Sequence, residues 1–309
     1  MSTGQALTRE QAWPALPLGE WSDTRDTMHM WTQIVGKVRL ALCPHLNHFW
    51  EVPLYVSARG LTSSAVPSSL GPFEVHFDFV EHRLDIITAW APPTVIRLYT
   101  RSVAGFYREF MQALDSLGIQ VKIWPVPQEV PNPIRFDRDV THARYDPAYA
   151  NRCWRILASV DTVLKEFRAR FIGKVSPVQF FWGSFDLAFS CYSGRRAPER
   201  PGADRITRES YSHEEMAAGW WPGSGDIVEP MFYAYAAPEP AGYRASRVRP
   251  GKAYYDTKYG EFLLSYDEVR RSADPRATLM GFLESTYEAG ATLGNWDRAN
   301  LERSPVAKV

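Results

Sequence analysis

The sequence has few cysteines, no long apolar run and no excess of either charge. Its 309 residues include only Cys43, Cys153 and Cys191, which are far apart and form no CxxC pair. This spacing excludes a disulfide framework and a cysteine zinc cluster, and it is typical of a reducing compartment. No apolar run reaches the roughly 20 residues of a membrane-spanning helix, and residues 1–10 lack the apolar segment of a signal peptide. We therefore expect a cytoplasmic protein with no membrane partner.

Bulk charge and common motifs exclude several further classes. The 35 basic residues balance the 35 acidic residues, whereas nucleic-acid-binding proteins usually carry a basic excess. The chain has no GxGxxG, no GxxxxGK[ST] and no HExxH. These absences argue against nucleotide binding through the first two motifs and against a zincin-type metal site. Ser184 follows a glycine but is not part of a GxSxG elbow, so a serine hydrolase of that type is not expected.

Aromatic residues are abundant in an otherwise ordinary globular composition. The chain contains 11 Trp, 16 Phe and 15 Tyr and is 45% hydrophobic. Such residues are typical of a plain core, and they are also consistent with an aromatic-lined cavity; both interpretations stay open. The length suggests about two domains.

Helical periodicity marks four segments. The first runs from about Arg25 to Cys43, before a proline, and the second follows the N-cap Ser102. Asp146 and Asp274 each precede a proline, the usual start of a helix, and each opens an amphipathic segment. Alternating or aromatic segments predict strands at residues 48–59, 73–79, 83–88, 94–99, 119–125, 178–192, 231–235 and 261–266.

The order of these elements predicts an α+β fold of two similar modules. Each half has a long helix, an aromatic strand that ends in Arg59 or Arg195, further strands and a closing helix. We expect helix–strands–helix modules with antiparallel sheets, related by a pseudo-two-fold axis and covering residues 1–130 and 131–309. They are expected to pack tightly, and one compact domain is the alternative.

Polar residues in aromatic surroundings are the candidate functional groups. Residues 194–230 are rich in Gly and Pro and are predicted to form a long binding loop around His213. Alternatively, Ser212 and Glu215 form a capping box at the start of a helix. Our candidate set comprises catalytic His213, Glu214 and Asp186, substrate-binding Arg59, Arg195, Trp182 and Gln179, and metal-binding His29 and His48.

Three functions fit these candidates. In the first, an enzyme acts on a small anionic molecule, with His and carboxylate groups moving protons or holding a divalent metal and the arginines orienting the substrate. In the second, the same groups form a non-catalytic binding or sensing site. In the third, an exposed Trp220-Trp221 loop docks a protein partner. For each residue taken alone, a structural role is the alternative.

Several motifs resemble an uncharacterised bacterial family known as a domain of unknown function. They are HMWTQIVGK at residues 29–37, SARGLT at 57–62, FFWGSFDLA at 180–188 and YSHE at 211–214. The resemblance covers nearly the whole chain and implies one family-length unit in a bacterial cytoplasm, without an activity. The chain departs from the pattern at Gln179, where the family usually has histidine, and at His76, where an acidic residue is more usual.

The Gln179 departure gives a first prediction. If the family site binds a metal, an amide at this position is a poorer ligand than imidazole for borderline metals. We therefore expect Gln179→His to raise the metal content of the purified protein, measured by elemental analysis. Unchanged metal content would contradict this role.

Overall fold

The structure, a computed structural model, describes residues 8–303 and contains eight α-helices in this range. Two of the long helices begin at a proline that follows an aspartate cap: the Asp146 and Asp274 side chains accept from the first-turn amides. The helices are α1 (Arg9–Ala12), α2 (Leu18–Leu42), α3 (Val103–Ser116), α4 (Pro147–Arg168), α5 (Arg205–Ser210), α6 (Tyr266–Arg271), α7 (Pro275–Leu293) and α8 (Arg298–Leu301).

Eleven strands within the described residues form two antiparallel sheets. Five make a meander in the order β1-β2-β3-β4-β5, and six make a second sheet in the order β10-β11-β9-β8-β7-β6. The strands are β1 (Tyr55–Val56), β2 (Gly60–Thr62), β3 (Phe73–Asp78), β4 (Arg83–Thr88), β5 (Thr94–Arg97), β6 (Gln179–Phe181), β7 (Asp186–Arg196), β8 (His213–Trp221), β9 (Met231–Ala237), β10 (Tyr254–Asp256) and β11 (Glu261–Ser265).

The second sheet has two different faces because successive side chains of a strand point to opposite sides. One face packs against α4 and α7. Its side chains are buried and mostly apolar: Leu187, Phe189, Cys191, Met216, Ala218, Trp220, Phe232 and Ala234. The opposite face carries carboxylates, tyrosines and small residues, and α4 and α7 do not cover it.

A short bridge connects the two sheets. Leu54 and Phe180 exchange both backbone hydrogen bonds, at 2.9 and 2.8 Å. Buried apolar residues from both halves, including Trp31, Phe110, Trp182 and Phe185, belong to one hydrophobic core, as predicted. No helix within residues 8–303 is long and apolar enough to cross a membrane.

The predicted α+β class and antiparallel sheets are confirmed. Each half contains a long helix, an antiparallel sheet and a later helix, but a pseudo-two-fold relation is not shown. That relation and the module boundary near residue 130 stay predictions.

The aromatic segment 178–192 is a hairpin and not one strand. Phe185 adopts a positive φ of 61°, and its N–H donates to the Phe181 carbonyl at 2.8 Å. This tight turn joins β6 to β7. The prediction of a single strand was wrong because the run of apolar residues hides a turn that contains only one glycine.

Three other segments differ from their predictions. Residues 194–230 contain α5 and all of β8, and so do not form one long loop; Ser212 precedes a strand rather than a helix. Residues 48–59 contain a 3₁₀ turn, in which His48 and Phe49 have positive φ, and only two residues of strand. Residues 119–125 form no strand.

Phe185 provides a test of the core. Its side chain is 2% exposed and packs edge-on against Phe180, with ring centroids 5.0 Å apart. We expect Phe185→Ala to lower the free energy of unfolding by about 3–5 kcal/mol, measured by urea denaturation.

The control is Trp124→Ala, which removes an aromatic side chain that is 65% exposed. It should change stability by less than about 0.5 kcal/mol. A loss below about 1 kcal/mol for Phe185→Ala would show that this turn does not anchor the core.

Candidate functional site

A cavity of about 760 Å³ lies over the uncovered face of the second sheet. Residues directly opposite each other on neighbouring strands share a face, so the pairings fix the composition of its floor. The floor comprises Asp186, Ala188, Ser190 and Tyr192 of β7, Glu215, Ala217 and Trp221 of β8, Tyr233 and Tyr235 of β9, and Glu261 of β11.

Small side chains make room for the cavity. Ala188 pairs with Gly219, and Ser190 pairs with Ala217, in the centre of the sheet. Glycine is required at position 219 because a Cβ there would lie 2.6 Å from the Tyr233 hydroxyl and 2.5 Å from the Leu187 carbonyl. The Tyr233 side chain therefore lies across Gly219 and reaches β7.

Tyr233 reaches Asp186, which is the centre of an acidic group. The Tyr233 and Ser184 hydroxyls both donate to the Asp186 carboxylate. Asp186 is only 6% exposed. Burial raises its pKa, although the two hydroxyl donors oppose that shift.

Glu129 and Glu261 complete the acidic group. Burial raises the pKa of Glu129, and the nearby Asp186 charge raises it further. The same two causes, in the same order, raise the pKa of Glu261 to about 7. Glu129 has a positive φ of 53°, and its Oε1 lies so close to Gly183 that a Cβ there would be 2.6 Å away. The three carboxylates thus share one end of the cavity.

Glu215 lies toward the other end, opposite Tyr192. It is 4% exposed, and burial raises its pKa to about 7 against the opposing effect of hydrogen bonds from Tyr192 and Ser190. Tyr235 and Tyr211 lie nearby, with hydroxyl oxygens 3.1 Å apart. This end is therefore rich in hydroxyl groups.

His48 forms part of the wall beside Glu215. Its Nδ1 lies 2.9 Å from the Ser210 carbonyl, which can only accept, so Nδ1 carries the proton. Its Nε2 then accepts from the Lys174 ammonium. Burial lowers the pKa of His48, and Lys174 lowers it further. The ring is thus held as a neutral acceptor for Lys174.

Helix α5 forms another wall, through Ile206, Thr207 and Ser210. None of its residues is buried. The His45 ring connects α5 to the segment around His48. Its Nε2 lies 2.7 Å from Glu209 of α5, and its Nδ1 lies 2.8 Å from Glu51. Both carboxylates raise the pKa of His45, Glu51 most strongly.

Aromatic side chains form most of the remaining lining. Among the lining residues that the structure describes, none is lysine or arginine. The aromatic lining residues are Phe49, Trp50, Phe181, Trp182, Trp221, Tyr192, Tyr211, Tyr233, Tyr235 and Tyr259.

Three of the predicted site residues, Asp186, Trp182 and His48, line this cavity. Gln179 is fully buried beside it, on the same face as Ala188, and its amide nitrogen donates to the Trp50 carbonyl at 3.3 Å. Its Oε1 has no hydrogen-bond partner within residues 8–303.

Other predicted residues lie elsewhere. Glu214 points away from the cavity, where it accepts from Arg195 Nε at 2.8 Å. Arg195 also donates to two carbonyls at the end of α7. Arg59 is on the first sheet and pairs with Asp78 at 2.6 Å.

The two remaining histidines do not share a site with Asp186. His213 pairs with Arg196 at the far end of β7 from Asp186, although its ring lies 5.6 Å from that of His48. His29 lies on α2, with its Nε2 2.8 Å from the Gly183 carbonyl. Burial lowers the pKa of His29 to about 4.

Within residues 8–303, no group of three or more His, Cys, Asp or Glu side chains is arranged to hold a metal ion. A divalent metal therefore stays a prediction. His29 and His48 each have other hydrogen-bond partners.

Sequence reasoning missed Glu129, Glu215, Glu261 and the tyrosines. The sequence carried a signal for Glu215: in a strand over residues 213–221, Glu215, Ala217 and Gly219 would share one face. Glu129 had no such signal because it lies in a proline-rich connector.

Comparisons with known proteins identify a family but no activity. A family model described as "Family of unknown function (DUF5996)" matches residues 13–303, so the chain belongs to this family. No curated protein and no solved structure matches the chain.

The raised pKa of Glu215 predicts a pH effect on stability. Because its pKa rises from 4.5 to about 7 on folding, the native state binds more protons than the unfolded state between these values. The contribution of Glu215 to the free energy of unfolding is therefore fully present below about pH 4.5. It is lost as pH rises through about 7, by about 3 kcal/mol.

Glu215→Gln removes this titration. We expect wild type to lose about 3 kcal/mol more than Glu215→Gln between about pH 4.5 and about pH 8, measured by urea unfolding at each pH. Glu214→Gln, one position away and on the other face, is the control and should keep the wild-type slope. Equal slopes for wild type and Glu215→Gln would contradict the burial of this carboxylate.

Proposed function

We propose that this member of the DUF5996 family is a small-molecule-binding protein whose cavity takes an organic cation, such as a protonated amine. The single observation that carries the proposal is the acidic group of Asp186, Glu129 and Glu261, which lines the cavity without a lysine or arginine among the lining residues described. A volume of about 760 Å³ is in the usual range for small-molecule sites.

The free-energy cost of ionising these carboxylates supports a cationic ligand. Burial disfavours their charged forms and raises all three pKa values, and the Asp186 charge raises those of Glu129 and Glu261 further. An opposite charge nearby favours the ionised form of a carboxylate. A bound cation therefore relieves the repulsion and gains charge-assisted hydrogen bonds.

The aromatic walls also support a cation. Trp182, Trp221 and Tyr259 line the same cavity as Asp186, and aromatic faces attract ammonium groups, by about 2 kcal/mol or more where water is excluded. Aromatic side chains also accept the apolar part of an organic amine. Inorganic cations gain less from such walls.

This choice of ligand differs from the anionic molecule expected from the sequence. That expectation used Arg59 and Arg195 as anion-binding groups. Both arginines are paired with carboxylates, Asp78 and Glu214, and neither lines the cavity. The charge of the lining therefore favours a cation.

Catalysis is the second candidate function, and Glu215 is the observation that favours it. A carboxylate with a pKa of about 7, hydrogen-bonded to Tyr192 and Ser190, suits general acid–base catalysis at neutral pH. A turnover screen of amine-bearing esters and amides tests it. Activity lost in Glu215→Gln and kept in Glu214→Gln would support an enzyme.

Octylamine is a suitable probe for the binding proposal, because it combines one ammonium group with an apolar chain. We expect saturable binding in isothermal titration calorimetry. Asp186→Asn keeps an oxygen for the Ser184 and Tyr233 donors but removes the charge. It should weaken octylamine binding by about tenfold or more, the usual effect of losing a charge-assisted hydrogen bond.

The control is Asp161→Asn. Asp161 is also a buried carboxylate with a raised pKa, but it pairs with Lys165 at 2.6 Å and lies outside the cavity. This variant should bind octylamine like wild type. Absence of octylamine binding, or equal losses in both variants, would overturn the proposal.

A further inference from the structure

The cavity is long, and its two ends differ in charge. Asp186 and Tyr192 are six positions apart on β7, with Glu215 opposite Tyr192. At about 3.3 Å per residue, the two ends of the floor are roughly 20 Å apart. A ligand that contacts both ends must therefore be elongated.

Lys174 supplies positive charge at the Tyr192 end. Its ammonium nitrogen lies 4.8 Å from the centroid of the Tyr192 ring and 5.6 Å from that of Trp50. It donates to His48 Nε2, a neutral acceptor, and it has no ion pair within 4.0 Å among the described residues. Its charge is thus held directly behind three residues of the cavity wall.

Arg200 adds a second positive charge at this end. Its guanidinium carbon lies 4.1 Å from the centroid of the Tyr211 ring, and Tyr211 lines the cavity. Two carboxylates lie at this end: Glu209, which pairs with His45, and Glu215, whose pKa of about 7 leaves it only partly ionised at neutral pH. With Glu209 paired, Lys174 and Arg200 outweigh the partly ionised Glu215.

We infer that the ligand is an elongated amphoteric molecule, with an ammonium group at Asp186 and a carboxylate or similar anionic group at the end formed by Tyr192, Tyr211 and His48. This inference rests on the proposed function and adds the second charged group. Hydroxyl groups of Tyr211, Ser190 and Thr207 supply hydrogen-bond donors for the anion, and the aromatic walls contact the chain between the two charges.

The same geometry disfavours a diamine. A second ammonium group would lie beside Lys174 and Arg200, and like charges in a partly desolvated site repel each other. The charge of the second end thus discriminates between amphoteric and dicationic ligands of equal length.

Four probes of similar length separate the two ideas: dodecylamine, dodecanoate, aminododecanoate with its amine at the terminal carbon, and dodecamethylenediamine. Their affinities for wild type are compared by isothermal titration calorimetry at low salt. We expect aminododecanoate to bind about tenfold more tightly than dodecylamine, the gain from one added charge-assisted contact. Dodecamethylenediamine should bind no better than dodecylamine, and dodecanoate should bind most weakly.

Lys174→Met tests the origin of the preference. It should remove the tenfold preference for aminododecanoate over dodecylamine, so that the two probes bind equally, and Lys174→Arg should restore much of the preference because the charge returns. Lys122→Met is the matched control, since Lys122 is exposed and does not line the cavity; it should keep the wild-type preference. Because the measurement is a ratio within each variant, loss of folded protein does not imitate the result.

Two outcomes would overturn the inference while leaving the proposed function intact. One is that dodecylamine binds and aminododecanoate binds no more tightly. The other is a preference that Lys174→Met leaves unchanged. Failure of octylamine itself to bind would instead reject the proposed function, and the amphoteric ligand with it.

Discussion

The strict alternation of side chains in the second sheet is the constraint on which the rest of the structure depends. Because each strand turns every other residue toward α4 and α7, the apolar half of β7, β8 and β9 is committed to the core. The other half is then free to be polar or small without loss of packing. A single sheet thus serves as the floor of a cavity and as the wall of a hydrophobic core.

Small residues at the centre of that sheet leave room for the cavity over its uncovered face. Gly219 lets the Tyr233 side chain lie flat across β8 and hold Asp186. The carboxylate gains two hydroxyl donors and is still buried, so its charge is only partly compensated. The Asp186 end therefore has uncompensated negative charge, and the Lys174 end has uncompensated positive charge.

The sequence predicted the fold class better than the site, for a physical reason. Helical spacing and the aspartate–proline caps are local signals, so α3, α4 and α7 began where expected, as did β3 and β4. Turns made without a glycine at the critical position carry no comparable signal, and Phe185 at positive φ concealed the β6–β7 hairpin. The site depends on which strands pair and in what register: Asp186, Trp182 and His48 are among the predicted site residues, whereas the local pattern around Glu215 predicts a binding loop or a helix cap and not a strand.

Helix α5 gives the cavity a wall of a different kind from its floor. No residue of α5 is buried, and its attachments to the rest of the protein include the polar bonds of His45 with Glu209 and of His48 with Ser210. Its detachment exposes little apolar surface, so local unfolding of this wall costs far less free energy than unfolding of β7, β8 and β9. We therefore expect backbone amides of α5 to exchange with solvent ahead of those in the sheet, so this wall is the part of the cavity that opens first.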